Sequence, residues 1–169
     1  MNSELAQQLE SLLDADVNRK NVAANAAQER INQTAKNLAD FESKKDAVIR
    51  PALKEIVTRY ESKGMFCRVT ERAEQERREG GIELPQIGLD LAGPEYRDQA
   101  MKPVFLISFD KQSREVSLYT STGSQAGPGP KAKLDDVTAD WVHTEFLNYK
   151  SPRIPIGKPV TFGKIQTRY

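Results

Sequence analysis

Few residues in this chain could carry chemistry, and His143 comes first because it is the only histidine. Asp136, Asp140 and His143 are spaced so that they could share one face of a helix. A carboxylate–imidazole cluster of this kind could bind a metal ion or take part in acid–base catalysis. The same spacing is typical of a solvated polar face opposite Trp141 and Phe146, and we favour that interpretation.

Cys67 is the only cysteine, so a nucleophilic cysteine–histidine pair would have to be brought together by the fold. Its apolar neighbours Met65, Phe66 and Val69 favour a buried structural thiol instead. A single cysteine excludes a disulfide within the chain, which is more typical of a reducing cytosol than of a secreted protein. We therefore expect a cytoplasmic protein.

Residues 122–133 read TGSQAGPGPKAK and are rich in glycine and proline. Gly123, Gly127 and Gly129 could be imagined around a phosphate, but they match neither the P-loop nor the dinucleotide-binding fingerprint. The intervening prolines lack backbone donors, so we predict a mobile loop. We assign no catalytic, cofactor-binding or metal-binding residue. This scarcity argues against an enzyme, although a catalytic site needs only a few groups.

The C-terminal stretch 150–169 is basic and contains no acidic residue. It has two aromatic residues and five basic ones: Phe162 and Tyr169, with Lys150, Arg153, Lys158, Lys164 and Arg168. Basic and aromatic side chains together suit nucleic acid or an acidic partner. The alternative, which we favour, is an extended strap across an acidic surface of the head. Four residues define that surface: Asp135, Asp136, Asp140 and Glu145.

The elements that must position these residues are indicated by glycine and proline. The segment 1–63 contains no glycine and only one proline, Pro51, whereas all ten glycines and the other eight prolines lie between Gly64 and Gly163. Both residue types disfavour a helix interior. We predict a helical rod over residues 1–63 and an α+β head domain over residues 64–169, which ends in the basic strap.

Apolar residues in the rod recur at helical spacing. They form a first seam of eight residues and a second of four: Leu13, Val17, Ala24, Ala27, Ile31, Leu38, Phe41 and Val48, then Ile49, Leu53, Ile56 and Tyr60. Lys20, Thr34 and Lys45 interrupt the first seam, and Pro51 predicts a kinked or broken helix. A straight helix of residues 3–49 would be about 70 Å long, which is more than one small head can cover.

The apolar stripe of the rod therefore needs a partner, and three arrangements would supply one. We favour a self-associating coiled coil through residues 5–60, which makes the protein a homo-oligomer. The alternatives are an antiparallel hairpin within one chain, which turns near 14–25 or 37–45, and a helix that docks on another protein. All three are interaction roles.

In the head, Val104–Phe109 is apolar on both faces and predicts a central strand. Residues 115–120 alternate and form a hairpin with it. Residues 65–69 and 82–91 predict further strands, and the charged run 71–79 predicts an exposed ribbon. Thr138 is a good N-cap for a helix that extends to Lys150. We therefore predict an antiparallel sheet of three or four strands packed with one helix.

The charge balance and the distribution of apolar residues bear on the classes of function that we consider. The net charge is +1, from 25 basic and 24 acidic residues, and such a balance gives no general reason to expect nucleic acid or an anionic membrane. The polar, acidic start is unlike a signal peptide, and no stretch reaches the roughly 18 apolar residues of a membrane span. Our hypothesis is a non-enzymatic interaction or scaffolding protein that self-associates through its helix and presents its head to a protein partner. The alternative is a small-ligand or nucleic-acid binding module that uses the basic C-terminal stretch.

Overall fold

The computed structural model describes residues 3–76, 78, 80–96 and 101–151. It confirms the predicted α+β class, with a long helical segment followed by an antiparallel sheet and a helix. The helices are α1 (Ser3–Lys44), α2 (Arg50–Glu61) and α3 (Ala139–Lys150). A π-helix over Lys45–Ile49 joins α1 to α2, and short 3-10 turns lie at Pro94–Tyr96 and Leu134–Asp136.

Five strands form one antiparallel sheet and two form a separate ribbon. Their bounds are β1 (Arg68–Arg72), β2 (Gln75–Glu76), β3 (Ile82–Glu83), β4 (Gln86–Asp90), β5 (Val104–Asp110), β6 (Glu115–Ser121) and β7 (Ala126–Lys133). The sheet order is β1-β4-β5-β6-β7, so β5 is central, as predicted. The ribbon pairs β2 with β3 beside the charged run, where an exposed ribbon was expected.

The strand β7 corrects the prediction of a mobile loop over residues 122–133. It pairs with β6 along its length, with one register shift. Pro128 and Pro130 are compatible with this pairing because β7 has a neighbour on one side only, so a missing amide donor can lie at the open edge. Gly127 and Gly129 are strand residues, and no phosphate-binding loop is formed there; Gly123 alone lies in the preceding turn, with φ of 90°.

The helical segment is continuous from Ser3 to Glu61, so the hairpin alternative is wrong. Pro51 lies in the first turn of α2, where a missing amide donor is tolerated. The preceding π-turn, in which the Arg50 amide donates to the Lys45 carbonyl, widens the helix. This wider turn relieves the clash between a proline ring and the carbonyl four residues earlier. None of the helices in the described part of the chain is both long and apolar enough to cross a membrane.

The core crosses residue 64 and contains part of the helical segment. The buried residues of that segment are Phe41, Ile49, Ala52, Leu53 and Ile56. They pack with the buried face of the sheet, where Phe105, Ile107 and Phe109 are fully buried. The rings of Phe41 and Phe109 stack with centroids 4.6 Å apart. Residues 37–61 are therefore part of the head's core, and we call them the inner helix.

Residues 3–33, which we call the outer helix, extend beyond the head. Leu13 and Ile31 are 55% and 59% exposed, and the other large apolar side chains described here are similarly exposed: Leu9, Leu12, Val17 and Val22. The first buried side chain described is that of Asn37, whose Nδ2 donates to the Lys111 carbonyl at 2.8 Å. The helix thus leaves the head near residue 34 with its apolar stripe uncovered.

Candidate interaction surface

The helix α3 forms as predicted, but His143 is not joined to Asp136 and Asp140. The Thr138 side chain caps α3 by accepting from the Trp141 amide. His143 instead faces α2, where its Nε2 lies 3.2 Å from the Ala52 carbonyl oxygen. In the residues that the structure describes, no group of three or more His, Cys, Asp or Glu side chains could hold a metal ion. His143 therefore ties α3 to α2.

Cys67 is buried in the core, as expected. Of its three apolar neighbours, Val69 packs against this core, whereas Met65 and Phe66 are 49% and 41% exposed. Burial raises the pKa of the Cys67 thiol to about 11, and the reactive thiolate is therefore scarce near neutral pH. A buried thiol of this kind is inert.

The basic C-terminal stretch lies almost entirely outside the described residues, which end at Ser151. Of its basic residues only Lys150 is described, and its ammonium group lies 5.4 Å from the ring centre of Tyr60 and 5.2 Å from that of Tyr149. On the surface proposed for the strap, Asp135 accepts from Arg114 at 2.9 Å. The strap and the nucleic-acid alternative both stay predictions.

The sequence did not predict an open groove between α2 and α3, which we call the α2–α3 groove. It encloses about 410 Å³ and is lined by seven residues: Ile56, Arg59, Tyr60, His143, Phe146, Leu147 and Lys150. Leu147 is 66% exposed, more than any other large apolar residue described in the head. An apolar surface with so exposed a leucine is typical of a contact site for another protein segment.

The charge of the α2–α3 groove is basic. Arg59 and Lys150 are exposed at its edge, and none of the described residues that line it is acidic. One carboxylate lies beside it, that of Glu55, whose Oε2 is 3.5 Å from His143 Nε2. The groove therefore offers an apolar floor with cationic side chains at its edge, which suits an amphipathic segment with acidic side chains.

A second groove adjoins the first and shares Tyr60 and Lys150 with it. It encloses about 580 Å³, and the exposed Met65 and Phe66 lie on its lining. Tyr149 forms part of its wall, and its hydroxyl donates to the Ser121 carbonyl at 2.7 Å. Burial raises the pKa of Tyr149 to about 12, so this hydroxyl stays protonated and remains a hydrogen-bond donor at neutral pH.

An ionic cluster around the buried Lys45 side chain holds the π-helix against β1. Lys45 donates to Glu42 and Glu71, and Arg50 donates to Glu71 at 2.8 Å and to Asp46 at 3.0 Å. The hydrogen bond from Lys45 lowers the pKa of Glu71 despite its partial burial. Lys45 appeared in the sequence only as an interruption of the first seam. Its spacing from Glu42, three residues earlier, could have indicated the ion pair between these two side chains.

The outer helix carries the other exposed apolar surface. The segment 1–18 contains four acidic residues and no basic one: Glu4, Glu10, Asp14 and Asp16. The exposed Leu9, Leu12 and Leu13 lie among them. This end of the helix, which we call the acidic end, is therefore leucine-rich and opposite in charge to the α2–α3 groove.

Comparison with known proteins identifies no relative. No protein-family model matches the chain, and neither the curated proteins nor the solved structures contain a match.

Proposed function

We propose that this protein is a non-enzymatic interaction protein that self-associates through the outer helix and presents its head to a protein partner. One observation carries the proposal. The outer helix carries six large apolar side chains between Leu9 and Ile31, over about six turns, and each of them is 48–68% exposed.

An uncovered stripe of this length favours association for two physical reasons. Helices are stabilised in water mainly by packing of an apolar face, and a stretch of helix that packs on nothing is only marginally stable. Burial of Leu, Ile and Val side chains contributes about 1.5–3 kcal/mol each when it is complete. A second copy provides an equal stripe, so pairing would bury both.

The head offers a protein partner a further surface on the open face of the sheet. Leu106 of β5 is aligned with Gly88 of β4 and Tyr119 of β6, which places the three on one face. Leu106 is half-buried and Tyr119 is exposed, in contrast to the fully buried Ile107 on the opposite face. We therefore assign partner recognition to the head and assembly to the helix.

The test is the mass of the full chain and of residues 34–169, measured by light scattering after size-exclusion chromatography. We expect the full chain to be a dimer or larger and the truncated chain to be a monomer. The cut at residue 34 retains Phe41, Ile49 and Leu53, whereas removal of residues 1–63 would take them out of the core. A full chain that stays monomeric at high micromolar concentration would overturn the proposal.

A further inference from the structure

We propose that the outer helix of one copy binds in the α2–α3 groove of a second copy, as an antiparallel pair of helices related by a two-fold axis. The inference rests on the proposed function and deepens it, because it names the surface that the outer helix contacts and the direction in which the helices run.

Charge favours the antiparallel direction. A parallel pair would place the acidic ends of two copies side by side, and like charges at that spacing destabilise a helix pair. An antiparallel pair instead brings each acidic end to the head of the other copy, where Arg59 and Lys150 border the groove. In the register given below, Arg59 is level with residue 6 of the other copy, between Glu4 and Glu10, whereas Glu55 beside the groove is level with Glu10.

Length favours the same arrangement. The helical segment is continuous from Ser3 to Glu61, and the α2–α3 groove lies at its C-terminal end. With the two-fold axis beside residues 32 and 33, Leu9 of one helix is level with Ile56 of the other, and Leu12 is level with Leu53. Ile31, which is 59% exposed, then lies close to the axis. The exposed leucines of the outer helix thus reach the groove.

The groove cannot be filled by the outer helix of its own chain. Leu9 and Ile56 lie about 70 Å apart along one continuous helix. A two-fold pair solves this, because each copy supplies one outer helix and one groove, and both grooves are then occupied. The rest of the basic C-terminal stretch is a poorer occupant, because its positive side chains would meet those of Arg59 and Lys150.

The first test changes the groove in the full chain. Leu147→Asp places a charge on the exposed floor residue, and we expect the dimer dissociation constant to rise at least about tenfold because two grooves are altered at once. Ile82→Asp is the matched control. Ile82 is 52% exposed but lies in the β2–β3 ribbon and does not line the groove. The dimer dissociation constant of this variant should therefore be unchanged.

The second test reads the direction of the helices with a short bis-maleimide crosslinker. A full chain carrying Leu9→Cys and Arg59→Cys should form a covalent dimer, whereas Leu9→Cys alone should not, and the unaltered chain with only the buried Cys67 is the control. Efficient crosslinking of Leu9→Cys alone would mean a parallel coiled coil and would overturn the inference.

The outcomes separate the two proposals. A monomeric full chain would overturn both. A dimer that is lost in residues 34–169 but is unaffected by Leu147→Asp would leave the proposed function standing and overturn this inference. If Leu147→Asp lowers the melting temperature of residues 34–169 but removal of residues 152–169 abolishes that effect, the groove belongs to the C-terminal stretch of the same chain, and the inference is again wrong.

Discussion

The outer helix and the inner helix are parts of one continuous helix with opposite surroundings. Both carry apolar residues at the same helical spacing. Yet Leu13 and Ile31 are more than half exposed, whereas Phe41, Ile49 and Leu53 have no exposed surface. Helical spacing therefore indicates that a face needs covering, but it does not indicate which neighbour covers it.

Polar residues mark the boundary between the two parts. Asn37 accepts from Gln33 at 2.8 Å and donates to the backbone of Lys111, so it joins the helix to the turn after β5. Arg114 continues this contact through an ion pair with Asp40 at 3.0 Å. Toward the N-terminus from this junction, no described side chain of the helix is buried.

The largest expected effect tests which part of the helix packs in the core. Phe41→Ala removes a fully buried ring that stacks on Phe109, and we expect a loss of about 3–5 kcal/mol in the free energy of unfolding. Ile31→Ala is the matched change in the outer helix, and in the monomer it should change that free energy by less than about 0.5 kcal/mol. Urea titrations at low protein concentration measure both. Equal losses would mean that the outer helix packs on its own head.

An intermediate effect is expected at the ionic cluster of the π-helix. Glu71→Gln leaves the buried Lys45 ammonium with one carboxylate. We therefore expect the free energy of unfolding to fall by about 2–3 kcal/mol at neutral pH. Lys45→Met is the matched change. We expect a smaller loss in the free energy of unfolding from it, because Glu71 keeps its ion pair with Arg50. A larger loss from Lys45→Met than from Glu71→Gln would contradict this account.

The same cluster predicts a pH dependence. The pKa of Glu71 is lower in the folded protein than its ordinary value, so its contribution to stability is present above the pKa of an unfolded glutamate, about 4.3. That contribution is lost as the pH falls through the lowered pKa. The difference in stability between the unaltered chain and Glu71→Gln should therefore shrink below about pH 4.3. Urea titrations across this range provide the measurement.

The smallest expected effect concerns the junction. Asn37→Ala removes the hydrogen bond to the Lys111 carbonyl and should lower the free energy of unfolding by about 1–2 kcal/mol. Asn32→Ala, one turn and a half toward the N-terminus and exposed, should change it by less than about 0.5 kcal/mol. Amide hydrogen exchange near residue 37 should also increase in Asn37→Ala alone. Faster exchange in both variants would place the junction elsewhere.

The sequence predicted those parts of the fold in which local preference and packing agree. Val104–Phe109 is the central strand because its runs of β-forming side chains also suit burial, and Thr138 caps α3 because capping is a local interaction. The strand β7 was missed because its glycines and prolines favour turns. Its pairing with β6 is a long-range contact that overrides this preference at a sheet edge.

The candidate site was harder to predict for the same reason. The α2–α3 groove is made by side chains from two helices that are separated in the chain by the whole sheet. Phe146 was expected on the buried side of α3 and is buried, but nothing in the spacing identified Leu147 as exposed beside it. The contact of Lys45 with Glu71 likewise depends on where β1 lies.

The burial of Cys67 has a practical consequence for the study of this molecule. Its thiol is the only one in the chain and lies between the exposed Phe66 and Arg68. A thiol reagent can reach it only when this edge of the head opens, so the labelling rate under native conditions reports the equilibrium for local opening. No probe has to be introduced. Any molecule that covers Met65 and Phe66 should slow the labelling. The labelling rate of the natural chain therefore also reports whether this surface is covered.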